Sequence, residues 1–202
     1  MRNVAFLPLP PASNGPKEAG SEPMPTRMTL LPSAVVVCAV AWEEEAAYAL
    51  NAGIDYFAYL WYDSNDPMSY ARKFHTQSEL RDTIKMTGIL ESLNRSAATF
   101  EELFAAMKED YWLYMDGMPV IYVYDANQKD QSFVEQLRKM AAQAGIAEPL
   151  YIIGMGYGDA AAAILGANND FDAASFYSAG ASEVGWTYAQ LCEANLESHN
   201  NV

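Results

Sequence analysis

At 202 residues, 51% apolar and 19% charged, the chain suits one domain large enough to bury a substantial core. A formal net charge of -14 repels phosphate backbones and anionic lipid surfaces, which argues against nucleic acid or a membrane as partner and leaves a neutral ligand such as a sugar unopposed. Cys38, Cys192, His75 and His199 are too few and too scattered for a disulfide framework or a His-based metal cluster, no metal or cofactor is expected, and no apolar run reaches the roughly 20 residues of a bilayer span.

From Met1 to Pro32 the chain is punctuated by Pro8, Pro10, Pro11, Pro16, Pro23, Pro25 and Pro32, so residues 1–32 read as a disordered Pro-rich tail ahead of a domain over 33–202. The apolar run Ser33 to Trp42 reads as a first buried strand. It also reads as a weak signal-like segment over 28–41, with Arg27 before it and Ala39-Val40-Ala41 as a cleavage-like triplet, so cytoplasmic and secreted locations both stay open. Glu43 to Asn51 is Ala-rich with acids in its first turn, as a helix prefers, and Gly53 ends it. Ile54 to Tyr62 is an aromatic strand. Asp66 and Pro67 open a helix over about Met68 to Asp82.

Ile84 to Leu90 is the next strand. Thr99 with Glu102 resembles a capping box for a helix running to about Tyr114. Asp116-Gly117 turns the chain into the strand Val120 to Tyr124. Gln131 to Ala144 is amphipathic, with Phe133, Leu137, Met140 and Ala141 on one face, and Gly145 stops it. A strand Leu150 to Met155, a short helix Asp159 to Leu165, a strand Phe171 to Tyr177 and a helix Tyr188 to about Glu197 follow.

Short apolar strands alternating with helices predict βαβ units and a parallel sheet, hence an α/β fold. Either an open doubly wound sheet or a barrel satisfies the right-handed crossover rule. In both, ligands bind at the C-terminal ends of the strands, here Trp61-Tyr62-Asp63, Glu91-Ser92, Tyr122 to Asp125, Gly154 to Tyr157 and Phe176-Tyr177. Rings that stack on C–H faces and carboxylates that accept hydroxyl protons suit a sugar, and a glycosidase needs two such carboxyl groups. Each residue also has a plainer reading. Trp61, Tyr122 and Tyr124 serve equally as core, Asp125 as a loop cap, Arg72 and His75 as helix surface, and Glu101, Glu102, Glu109 and Asp110 as a solvated face. Glu91, directly after an apolar strand, is harder to assign to solvent. Gly154 to Gly158 suggests a phosphate loop, but Asp159 stands where the nucleotide fingerprint needs glycine.

The run Ala52 to Tyr62 resembles the second-strand signature of glycoside hydrolase family 99-like proteins, a group with WbsX-like proteins of polysaccharide gene clusters and endo-acting α-mannosidases. The resemblance continues at Lys85 to Glu91, Asp116 to Asp125 and Phe171 to Tyr177, in order over about Glu44 to Leu196. It implies a partial (β/α)8 TIM-type barrel with about five or six β/α units. It further implies a glycan or oligosaccharide partner, an α-linked and mannose-containing polysaccharide among the candidates, with Glu91 and Tyr177 lining a sugar subsite and Trp61, Tyr62, Tyr124 and Asp125 near the mouth. The family's working glutamate pair lies in a motif like Asn-Glu-Trp-x-Glu-Gly, and no such run occurs here. The expectation is therefore a chain trimmed at both ends, with the catalytic residues unassigned and with open sheet edges that invite self-association. The alternative is a non-catalytic carbohydrate-binding or degenerate barrel fragment, followed by a nucleotide-binding doubly wound domain resting on the Gly154 to Gly158 loop.

Overall fold

A computed structural model describes residues 3–5, 32–156, 170–176, 187, 189–190 and 192–193. The first correction to the sequence reading lies at its start. Pro32–Asn51 is one helix, α1, so the run expected to be a strand is helical and continuous with the Ala-rich segment after it. Propensity differences between Val and Ala amount to under about 1 kcal/mol per residue, and no Gly or Pro interrupts Ser33 to Asn51. Pro32 sits where a missing N–H costs nothing. The Pro-rich stretch is corrected as well: Asn3–Ala5 forms a short strand, β1, parallel to β2 (Ile54–Leu60). Three residues before the first proline are enough for an edge strand, and residues 6–31 lie outside the described ones.

After β2, a 3-10 turn over Pro67–Ser69 leads into α2 (Tyr70–Gln77), with the Asp66 carboxylate accepting from the Met68 N–H at 2.8 Å. Strand β3 (Lys85–Leu90) follows, then α3 (Ala97–Ala106). Ser96 rather than Thr99 caps α3, and the helix stops a full two turns before Tyr114. The cause is tertiary. Tyr111 to Leu113 run alongside β3, with Met86 N–H donating to the Tyr111 carbonyl at 2.9 Å and Leu113 N–H to the Met86 carbonyl at 2.8 Å.

Tyr114–Met115 (β4) and Met118–Val123 (β5) form a hairpin on Asp116 and Gly117, both at positive φ, the conformation a two-residue hairpin loop requires. Helix α4 (Gln131–Gln143) is capped by Asp130. It ends with Gly145 N–H bonding the Ala142 carbonyl and Ile146 N–H reaching back to Ala141, which needs the left-handed backbone at Gly145. Strands β6 (Tyr151–Gly156) and β7 (Ala173–Phe176) complete the described sheet. The predicted helix 159–165 and most of the predicted last helix lie outside the described residues.

The sheet order is β1-β2-β3-β5-β6-β7, all parallel, with β4 attached antiparallel to β5. Side chains alternate between two separate cores. Phe57, Tyr59, Trp61, Met86, Leu90, Ile121, Val123 and Ile152 join Trp42, Ala46, Leu103, Phe104, Leu137 and Ala141 from the helices. Tyr56, Ile89, Val120, Tyr122, Ile153 and Met155 form the other cluster, to which none of the described helices contributes. Among the described residues, helices α1 to α4 therefore pack on one face, whereas a doubly wound sheet carries helices on both. The fold is α/β, with a curled parallel half-barrel. Among the described residues no helix is long and apolar enough to cross a membrane.

Candidate functional site

Strand parity decides which residues reach the mouth of the curl. On β2, Tyr56, Ala58 and Leu60 belong to the inner face, and Tyr62 continues that series two residues on. On β3, Ile89 is followed by Glu91, and on β5, Tyr122 is followed by Tyr124. Register aligns the three, since Leu60 pairs with Ile89 and Leu90 with Val123, while Tyr124 N–H donates to the Leu90 carbonyl at 3.0 Å. The C-terminal ends of three adjacent strands thus bring Tyr62, Glu91 and Tyr124 to one rim.

Two of these are in contact. The Tyr62 hydroxyl donates to Glu91 Oε1 at 3.3 Å, and Arg95 Nη2 bonds Glu91 Oε2 at 2.7 Å. The Arg95 guanidinium also lies over the Tyr62 ring, 4.9 Å from its centroid. Burial, then the Glu91 charge and hydrogen bond, push the Tyr62 phenol up from its ordinary value, with Arg95 opposing. Glu91 and Arg95 remain 32% and 23% exposed, so the cluster is open to a ligand. A carboxylate has about four lone-pair sites and an arginine five N–H donors, so each retains capacity for hydroxyl groups beyond this contact. Sequence reasoning passed over Arg95. Its spacing from Glu91, four residues on, was the available signal.

The other predicted residues divide. Tyr124 is half-buried against the inner cluster beside them. Asp125 follows it in the left-handed conformation, φ 52°, which an aspartate tolerates better than most side chains, and its carboxylate makes no cap bond to the 3-10 turn it opens. Trp61 does not reach the rim. One residue out of phase with Tyr62, it is 3% exposed beneath the helices, donates Nε1–H to the Thr99 carbonyl at 3.3 Å, and meets Trp112 edge-on at 5.7 Å. Tyr177 lies outside the described residues. Of the glycine run weighed and set aside as a phosphate loop, Gly154 and Gly156 are paired residues of β6.

Asp63, the remaining acid at the end of β2, is a clamp. It accepts from Thr99 Oγ1 and from Ser96 Oγ at 3.2 Å, and these bonds, the Thr99 one foremost, hold its carboxyl below the usual range. Arg72 and His75, expected on the surface, are both buried, and Glu102 pairs with Arg72 instead of facing only solvent. A cavity of about 220 Å³ lies away from the rim, between α2 and α3, lined by Trp61, Arg72, Lys73, Glu102, Glu109 and Tyr111. Its two cations and two carboxylates balance, and Arg72 and Glu102 already bridge at 2.9 Å, so it offers no excess charge to a ligand. Among the described residues, no three His, Cys, Asp or Glu side chains converge as a metal site. The chain matches no family model and no curated protein.

Proposed function

We propose that the chain is the carbohydrate-binding part of a TIM-type (β/α) barrel resembling the glycoside hydrolase family 99-like proteins, with a neutral α-linked glycan as ligand. The observation that carries the reading is the contact of Tyr62, Glu91 and Arg95 at the C-terminal ends of neighbouring parallel strands, where barrels place their ligands. An adjacent carboxylate and guanidinium suit a sugar hydroxyl, which can donate to the first while accepting from the second. The aromatic rings of Tyr62 and Tyr124 supply apolar surface for the C–H faces of a pyranose. The sequence has no Asn-Glu-Trp-x-Glu-Gly run, so the role proposed is binding and not hydrolysis.

Isothermal titration calorimetry of the protein with mannan-derived and other α-linked oligosaccharides tests this. Glu91→Gln is expected to weaken binding about tenfold, the scale of one charge-assisted hydrogen bond, while Glu109→Gln, on the helical side of the sheet, leaves it unchanged. Equal affinities for the two variants, at matched thermal stability, would remove Glu91 from the site.

A further inference from the structure

The segment after β2 is anchored to the helices at every residue from Tyr62 to Ser64. The Tyr62 carbonyl accepts from Arg72 Nη2 at 2.9 Å, and the same nitrogen reaches Glu102 Oε1 at 2.9 Å. Asp63 is tied to Ser96 and Thr99 at the start of α3. The Ser64 carbonyl accepts from Ser69 Oγ at 2.9 Å and from Lys73 Nζ, and Ser64 Oγ donates to the second Glu102 oxygen. Arg72 is the buried charged residue of this set. Its side chain is 2% exposed, and its guanidinium lies 4.5 Å from the Trp61 ring centroid.

Stability alone explains this arginine poorly. Desolvating a guanidinium is unfavourable, Nε and Nη1 are buried without a hydrogen-bond partner, and an apolar side chain of similar volume often serves a buried ion-pair position as well or better. What an apolar side chain cannot do is donate to the Tyr62 carbonyl. That carbonyl belongs to the residue whose phenol meets Glu91, and a donor locked over Trp61 holds it in place.

We propose that Arg72 is a positioning residue: through the Tyr62 carbonyl, it sets the backbone from which the Tyr62 side chain reaches Glu91 and Arg95. Its consequence for ligand binding rests on the glycan reading above, but the positioning itself does not. Trp61 then has a role the sequence concealed, as the platform that keeps the Arg72 guanidinium aimed.

The test follows the Tyr62 phenol by tyrosine 13Cζ NMR, assigned with Tyr62→Phe, in wild type, Arg72→Met and Arg72→Lys. Loss of the Arg72 charge by itself would raise the titration of a nearby phenol. Separation of Tyr62 from Glu91 would lower it toward the ordinary tyrosine value, so a downward move reports geometry. Arg72→Met is expected to move it down and to weaken glycan binding about tenfold, and Arg72→Lys, which retains a donor, to recover part of both. Leu137→Ala, a core change beneath α4 that lowers thermal stability, is expected to move neither. An Arg72→Met protein with the wild-type Tyr62 titration overturns the proposal. Should that variant fail to fold, Glu102→Ala removes the other anchor of Arg72 at a one-third exposed position, and an unmoved Tyr62 there overturns it equally. Wild type that binds no glycan, with Tyr62 still shifted by Arg72→Met, sinks the glycan reading and leaves the positioning role standing.

Discussion

His75 shows how much a single buried ring can be asked to hold. The Ile84 carbonyl can only accept, so the Nε2 at 2.9 Å carries the proton, and Nδ1 takes the Tyr59 hydroxyl at 3.1 Å, which itself accepts from Trp42 Nε1–H at 3.3 Å. The ring is thus satisfied as the neutral tautomer, and it joins α1, β2, α2 and the segment leading into β3. Burial pushes its pKa down from 6.5 to about 4, against opposing contributions from the Ile84 and Arg81 carbonyls and the Glu43 charge. Below pH 6.5 the unfolded chain binds the proton and the folded one does not, so stability is full above 6.5 and falls as pH drops toward 4. The loss is at most about 3 kcal/mol. Urea unfolding at pH 7.5 and 4.5 should show a larger drop for wild type than for His75→Gln, since the carboxylates common to both cancel. Equal drops would mean that His75 does not govern this window. The same scale separates Trp61 from Tyr62. They are chain neighbours, yet alternation sends one to the helices and the other to the rim.

At the scale of elements, β3 meets α3 closely at Gly88. A Cβ added at Gly88 would lie 3.2 Å from Trp61 Cε3 and 3.4 Å from both Leu103 Cδ1 and Trp112 Cη2. Neither indole is free to yield, because Trp61 is bonded to the Thr99 carbonyl and Trp112 Nε1–H to the Val120 carbonyl at 2.9 Å. Gly88→Ala is therefore expected to destabilise by about 1–3 kcal/mol through overpacking. Denaturant unfolding should show this as a lower midpoint at unchanged slope, and a neutral or stabilised variant would mean α3 can move away from the strand. Most element identities were legible in the sequence, since caps and strand composition are local signals. Helix ends were less so. Thr99 and Glu102 look like a capping box, but Ser96 caps the helix, Thr99 bonds to Asp63, and Glu102 is drawn to Arg72 and Ser64. Each residue found a stronger partner beyond its own helix.

Over the whole molecule, a net charge of -14 at pH 7 repels itself through the solvent and favours expansion. The screening length shrinks from about 30 Å at 0.01 M to about 10 Å at 0.1 M salt. Raising sodium chloride across that range should raise the melting temperature, while affinity for a neutral glycan stays level because no counterion is released on binding. A melting temperature that falls with salt would mean that surface ion pairs outweigh the net repulsion. Among the described residues, α1 to α4 lie on a single face of the sheet, an arrangement that chain order alone cannot express, because doubly wound sheets and barrels alternate strand and helix in the same way.

The sequence by itself determined the α/β class, the strands read as starting at Ile54, Ile84, Val120 and Leu150, which begin within two residues of those positions, and the presence of Glu91 and Tyr62 at strand ends, because period, caps and turns act within a few residues. Only the tertiary structure decided that Ser33 to Trp42 is helix, that Asn3–Ala5 joins the sheet, that Trp61 and Arg72 are buried together, and that Arg95 joins Glu91 over the Tyr62 ring. Those outcomes depend on partners distant in the chain or on which face of the sheet a residue meets. Local propensities of under about 1 kcal/mol per residue yield when such contacts form.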